Sequence, residues 1–328
     1  MNSIAAVLQY YGKLKPSFTL WYESARRNSD VDFFVFTDND EPEDKADNIK
    51  WVRFTLSDFN SLAIDKLGVD FQITKPYKLC DFKSLYGVIF EDYLKGYEYW
   101  AYGDLDVVYG HITGYLQKID YKRYYKINHA GHFCLMRNIP EVNNLFKAEI
   151  PGTKYWVDML ESGNSAFDEI DTNTKAKALG MPVYDGIFAA DLMNEKGMQV
   201  VDGEMIKNAF HIDSPVSAPK NYHYQVFISE NGRIVRYYRK FFSVKKDEFA
   251  YIHYRLELPI NLIDKKTDTY IFSYYPMGFF DIDTKKLTNL SYFMKTVKNY
   301  NKRYPLMFEK FLAVINLTKK VMKRGNKE

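Results

Sequence analysis

Apolar residues in the first hundred positions fall in short continuous runs separated by amphipathic stretches. Residues 3–9 (SIAAVLQ), 31–38 (VDFFVFTD) and 49–55 (IKWVRFT) are rich in β-branched and aromatic side chains and predict buried strands. Between them, 17–27 (SFTLWYESARR) predicts a helix. Residues 57–68 predict a short helix opened by Ser57 and closed by Gly68. In 75–96 the residues Phe82, Leu85, Tyr86, Ile89, Phe90 and Tyr93 recur at helical spacing up to Gly96, which predicts one long helix. A further strand follows in YEYWAYGDLDVVYG (97–110). Alternating strands and helices predict an α/β domain built on a mostly parallel sheet.

Beyond residue 110 the pattern loosens. KINHAGHFCLMRN predicts a strand entered through a loop, IPEVNNLF starts a helix, and NSAFDEI is an acidic turn into another. NYHYQVFISENGRIVRYYRK predicts a hairpin turning at Asn231-Gly232, and EFAYIHYRL a strand. From Asn289 the chain reads as helix, with a break at Pro305. LMFEKFLAVINLTKKVMKR sets Leu306, Phe308, Phe311, Leu312, Val314, Ile315, Leu317 and Val321 against Lys310, Lys319, Lys320, Lys323 and Arg324. Such a basic amphipathic tail suits an anionic membrane surface, and equally a helix packed on the body with a solvated basic face. The expected organisation is a domain over 1–288, divided near 110, and a helical tail over 289–328.

Charge sharpens this division. The 328 residues carry a net +3, yet residues 291–328 hold ten Lys or Arg and two Glu, so the body is at −5 and the tail at +8. An acidic body argues against a general nucleic-acid binder. Two cysteines, Cys80 and Cys134, give no disulfide framework and no Cys-based zinc site, which fits a reducing cytoplasm. The first residues show no signal-peptide pattern, and no apolar run is long enough to span a membrane.

Candidate chemistry gathers where strands end, because ligands of such sheets sit beyond the carboxyl ends of strands. Tyr10-Tyr11-Gly12-Lys13, Thr37-Asp38 and Asp104-Leu105-Asp106 occupy three such ends. The chain has four Asp-x-Asp pairs: Asp30/Asp32, Asp38/Asp40, Asp104/Asp106 and Asp281/Asp283. The first precedes a strand, the second enters an acidic loop and the fourth lies in a late turn. Only Asp104/Asp106 closes a strongly apolar strand after a long α/β pattern. Two carboxylates so placed can hold Mg²⁺ or Mn²⁺, which would clamp a diphosphate; the alternative is a strand-end turn with two solvated aspartates.

Four blocks, KPYKLCDFKSLYGVIFEDYLKGYEYWAYGDLDVVYG, GHFCLMRNIPEVNNLF, NSAFDE and FAYIHYRLELP, together resemble a bacterial family of GT-A type glycosyltransferases from capsule, lipopolysaccharide and exopolysaccharide loci. The resemblance covers most of residues 3–260. It implies a GT-A (Rossmann-like) fold, and a divalent cation on Asp104 and Asp106 that meets the donor diphosphate. It implies a late histidine, His253, completing the metal site; without the resemblance His253 is a core or surface histidine. FDE resembles the family's acidic element in reversed order, which offers Asp168 or Glu169 as the base. Tyr11, Gly12, Lys13, Thr37 and Asp38 would face the nucleotide. Lys78 and Asp81, near the start of the 75–96 helix with Lys75 and Lys83, are expected donor contacts, Asp81 being equally a first-turn residue favoured by the helix dipole, and Gly131-His132 is either a loop on the acceptor side or a strand-entry turn.

The expected activity is metal-dependent transfer of a sugar from a nucleotide diphosphate-sugar, a UDP-sugar for choice, to a growing glycan or lipid-linked glycan. The expected location is the inner face of the cytoplasmic membrane, reached through residues 291–328. A nucleotidyl or phosphoryl transferase using the same carboxylates is the enzymatic alternative, although neither GxxxxGK[ST] nor GxGxxG occurs. A non-catalytic glycan-binding protein, needing neither metal pair nor late histidine, is the other.

Overall fold

The computed structural model describes residues 2–161, 163–184, 186, 189–192, 200–201, 219–254, 269–274 and 277–300. The strands of its first part are β1 (Ile4–Tyr10), β2 (Val31–Thr37), β3 (Ile49–Arg53), β4 (Tyr99–Gly103), β5 (Val107–Tyr109), β6 (Lys126–Ile127), β7 (Phe133–Arg137), β8 (Val183–Tyr184) and β9 (Ala189–Asp191). Those of its second part are β10 (Gln225–Glu230), β11 (Arg233–Lys240), β12 (Ser243–Phe249), β13 (Tyr251–His253), β14 (Tyr270–Tyr274) and β15 (Met277–Asp281).

A seven-stranded sheet runs β3-β2-β1-β4-β7-β6-β8. Its pairings are parallel except at β7, which lies antiparallel to β4 and β6. Successive side chains of a strand face opposite sides. Along β1, Ala5 and Val7 enter one core while Ile4, Ala6 and Leu8 enter the other; along β4, Trp100 and Tyr102 oppose Tyr99 and Ala101. The helix Phe18–Arg26 covers one face through Trp21, Tyr22 and Ala25, and the helix Leu56–Leu67 covers the other through Phe59 and Ala63. Burial on both faces explains why these strands read as continuous apolar runs. Each large side chain so buried contributes roughly 1.5–3 kcal/mol. The arrangement is the mostly parallel α/β sheet flanked by helices that the sequence predicts.

Two smaller sheets were not foreseen. One joins β5, β13 and β9, and the other runs β12-β11-β10-β14-β15, antiparallel throughout. The helix Leu290–Tyr300 packs Phe293 and Val297 against Val226, Ile228 and Ile271 of the antiparallel sheet. Residues 301–328, which carry most of the expected basic tail, lie outside the described residues. Among the described residues no helix is long and apolar enough to cross a membrane.

Two local expectations need correction. The helix after β3 is capped by Thr55, not Ser57, through a reciprocal box with Asp58, and ends as expected at Gly68 in the left-handed conformation. The long helix over 75–96 is instead a chain of short turns: Pro76–Lys78, Leu79–Phe82, Lys83–Leu85 and Tyr86–Ile89. Residues 81–87 are buried on every side, Asp81 and Lys83 included. Buried charges must meet fixed partners, and here the backbone follows those partners and not an uninterrupted helical ladder.

Gly87 sits at the tightest contact of this segment. A Cβ there would stand 2.7 Å from Trp100 Cζ2 and 2.7 Å from Asn143 Oδ1, and those two side chains are themselves hydrogen-bonded at 2.7 Å. Gly87→Ala is therefore expected to lower unfolding stability by about 1–3 kcal/mol. Urea denaturation followed by tryptophan fluorescence reads the effect; an unchanged midpoint would show that the packing yields.

Candidate active site

Strand register assembles the site. β4 pairs antiparallel with β7, Gly103 against Phe133, so His132 lies beside Asp104, whose amide donates to the His132 carbonyl at 3.2 Å. β13 pairs with β5, His253 against Val107, and on its other side with β9, His253 against Asp191. Asp104, Asp106, His132, Asp191 and His253, scattered over 150 residues of sequence, thus meet beyond the end of β4.

One half of the site forms around Lys83. Lys83 is 7% exposed, and its ammonium donates to Asp104 Oδ1 at 2.6 Å and to the Gly131 carbonyl at 3.0 Å. Burial pulls its proton affinity down, but the neighbouring charges, Asp104 foremost, outweigh this and hold it well above the ordinary lysine value. Asp168 is 3% exposed, and its carboxyl is raised well above the usual range, first by burial and then by Glu169 and Asp104, against the pull of Lys83. Glu169 accepts the Gly131 amide. A Cβ on Gly131 would fall 2.6 Å from Asp168 Oδ2 and 3.0 Å from Glu169 Oε1, so only glycine lets this strand entry lie against both carboxyls.

The other half forms around His253. Its Nε2 is 3.3 Å from Asp106 Oδ1 and its Nδ1 is 2.9 Å from Asp191 Oδ1. Burial would lower the imidazole's proton affinity, yet Asp106 and Asp191 bring it up to about 10. Burial works to raise Asp106, but His253, His132 and Lys83 bring it down to about 2. Asp191 is likewise held well below the usual range: the neighbouring His132 and His253 imidazoles, at 3.7 Å and 2.9 Å, overcome its burial. His132 is 5% exposed, shares its Nδ1 with the Tyr251 hydroxyl at 2.7 Å, and has no hydrogen-bond partner at Nε2. His132, Asp191 and His253 can each offer a ligand atom within 4.8 Å of the others. Two imidazoles and a carboxylate are a workable donor set for a divalent transition ion, and the orphaned His132 Nε2 gives such an ion a place.

The structure brings Asp106 and His253 together and ties Asp104 to Lys83. Asp168 and Glu169 join the Lys83 half. At the ends of β1 and β2, the Gly12 amide donates to Asp38 Oδ1 at 2.9 Å, and Asn39 bridges Thr37 and the Gly12 carbonyl. The Tyr10 phenol is raised by burial and then by Asp106 and Asp38, which places this edge in the field of the site. Tyr11 donates to Gln9, and Lys13 is exposed. Lys78 and Asp81 are committed elsewhere. Asp81 is wholly buried and accepts from the amides of Ser165 and Phe167, from the Ser165 hydroxyl and from Lys78 Nζ; Lys78 also reaches the Gly163 carbonyl. Together they anchor the turn that presents Asp168 and Glu169.

Asp191 had not been singled out, and His132 had been placed on the acceptor side. The one signal for Asp191 was a short apolar run, AADL, with an aspartate near its end. Nothing in that run distinguishes it from a solvated strand end.

No curated protein is significantly similar to the chain. Among solved structures, the galactosyltransferase LgtC in complex with donor and acceptor sugar analogues is 10% identical, over 77% of this chain and 87% of that one, with a TM-score of 0.42. Mouse xyloside xylosyltransferase 1 in its apo form is 9% identical, over 78% of this chain and 99% of that one, with a TM-score of 0.40. Likeness at this level carries no weight for residue roles. Residues 6–284 match a family profile, and the chain thereby belongs to DUF6625, a family of unknown function.

Proposed function

We propose that this protein is a metal-dependent glycosyltransferase that moves a sugar from a nucleotide diphosphate-sugar, with UDP as the nucleotide, to a hydroxyl of a glycan or lipid-linked glycan. The observation that supports it most is the meeting of Asp104, Asp106, His132, Asp191 and His253 beyond the carboxyl end of β4, where an α/β sheet binds its ligands. Asp106 and His253, with Asp191 and His132 beside them, would hold Mn²⁺ or Mg²⁺, and Asp104 stands next to them on Lys83. When bound, the cation supplies positive charge against a diphosphate leaving group.

The chain's own groups do the rest. Asp191 holds His253 Nδ1 and so fixes which nitrogen faces Asp106. Lys83 fixes Asp104 and adds a buried positive charge to the phosphate side of the site. Tyr11, Gly12, Lys13, Thr37 and Asp38 form the edge against which the nucleotide lies. Asp168 or Glu169, which both lie against Gly131, would take the proton of the acceptor hydroxyl if the reaction inverts. Lys78 and Asp81 act through the Ser165–Phe167 turn that positions Asp168.

A thermal-shift comparison of UDP, GDP, CDP and dTDP, each with and without Mn²⁺, tests the reading. UDP with Mn²⁺ is expected to stabilise the protein by about 2.7 kcal/mol at a hundredfold excess over Kd, and Asp106→Asn to abolish the shift. No shift with any nucleotide would favour the non-catalytic alternative. Asp191→Asn is expected to weaken Mn²⁺ binding about 10–100-fold in calorimetric titration, since the His253 imidazole loses its orienting carboxylate. Undiminished affinity would remove Asp191 from the site. Because His253 is protonated up to about pH 10 in the free protein, the metal must displace its proton. Affinity is therefore expected to rise with pH by about tenfold per unit toward that value, with about one proton released on binding, read from titrations in buffers of different ionisation heat.

A further inference from the structure

The antiparallel sheet carries two adjacent hairpins with opposite turn chemistry. Between β10 and β11 the two-residue loop is Asn231-Gly232, both at positive φ (51° and 74°), the residues such a turn favours. Between β11 and β12, Lys240 pairs with Ser243, and the two-residue loop is Phe241-Phe242. Of these two only Phe241 has positive φ (55°), at a first loop position where a tight hairpin favours glycine. A bulky aromatic residue is strained there. The two rings are also 81% and 87% exposed, the most exposed large apolar side chains among the described residues. Backbone strain falls on Phe241 and lost burial on both rings.

The strands that carry the tip are clamped together, and the residues next to it are basic. Arg236, 1% exposed, clamps β11 to β12 through Asp247 and lies over the rings of Tyr222, Tyr238 and Phe249. Arg239 Nε donates to the Phe241 carbonyl at 2.8 Å. Residues 239–246, RKFFSVKK, hold four positive and no negative charges, and Lys240, Lys245 and Lys246 are exposed. Two exposed aromatic rings at a turn flanked along both strands by cations are complementary to a surface that is negative outside and apolar a few ångströms beneath, which is an anionic lipid bilayer. The basic residues would meet the headgroups and the rings would pass between them.

We propose that the Phe241-Phe242 hairpin tip is a membrane-docking finger that enters the interfacial layer of an anionic bilayer. This site is distinct from residues 291–328 and stands whatever reaction the protein catalyses. The sheet bearing it also receives the helix Leu290–Tyr300, from which the chain runs on into the basic terminal segment.

The test uses the full chain with vesicles of phosphatidylcholine, with and without phosphatidylglycerol. The protein is expected to float with the anionic vesicles only, less so as salt is raised. Phe241→Ser with Phe242→Ser is expected to lower partitioning about tenfold or more, by the loss of two buried rings. Phe241→Gly removes the strain, so it should raise the melting temperature while weakening vesicle binding, a pair of opposite effects that a structural role for the ring would not give. Phe242→Trp should keep binding, and its added emission should shift to the blue and be quenched by brominated lipid. Flotation of the double serine variant equal to that of the parent would overturn the proposal. So would a tip tryptophan whose emission is unaffected while the protein floats, since binding then runs through another segment. Self-association lost in the serine variant, with lipid binding intact, would assign the tip to a protein partner and equally overturn it.

Discussion

A charge cannot stand alone in a protein interior, and the buried ammonium of Lys83 organises what surrounds it. It reaches Asp104 at the end of β4 and the Gly131 carbonyl at the entry to β7, and so closes the gap between two strands that run in opposite directions. Through Gly131 it is linked to Glu169, and its field bears on Asp168. Removing Asp104 would leave the buried ammonium without its nearest carboxylate, a cost that solvent reaching this partly exposed pair would reduce. The broken helix around it makes sense in the same terms. Asp81, Lys83 and Gly87 each answer to a different neighbour, and a straight helix would not serve all three.

The His253 half is built on a different balance. Two carboxylates and two imidazoles share a small, largely closed space: Asp106 and Asp191 are held ionised there, and both raise the proton affinity of His253. Within it His132 Nε2 makes no hydrogen bond, although it stands 3.7 Å from Asp191 Oδ2. A cation entering here exchanges protons for metal, which ties occupancy to pH. Gly131-His132 joins the halves: the glycine touches the Asp168 pair and the histidine touches Asp191. The dipeptide is the hinge point of the site's electrostatics.

Local rules are broken at a few places only. The turn Phe167–Asp171 has the wide π geometry and follows Ala166 at φ 53°, and it delivers the two candidate bases. Phe241 breaks the hairpin rule beside a hairpin that obeys it. Elsewhere the capping box at Thr55, the glycine end at Gly68 and the alternation along β1 and β4 agree with the fold. Where sequence and geometry disagree, function is the reason to look for.

The sequence by itself determined the layered α/β architecture, because burial on both faces forces continuous apolar strands and amphipathic helices, and both periods are visible in single stretches of chain. It determined the Asn231-Gly232 turn, whose positive φ angles select their residues locally. It also singled out Asp104/Asp106 and Asp168/Glu169 as strand-end and helix-start acids. It did not determine the partners of those acids. Lys83 reaches them from a buried turn, and His132, Asp191 and His253 through strand pairings across up to 150 residues; registers of that kind are set by the packing of whole sheets and not by any local pattern. The tertiary structure alone decided that Asp81 and Lys78 support a turn, that the long helical period from Phe82 to Tyr93 breaks into short turns, and that two phenylalanines stand exposed at a hairpin tip. The physical reason is common to all of these: periodicity reports which face is buried, while the identity of the neighbour is fixed only when the chain closes on itself.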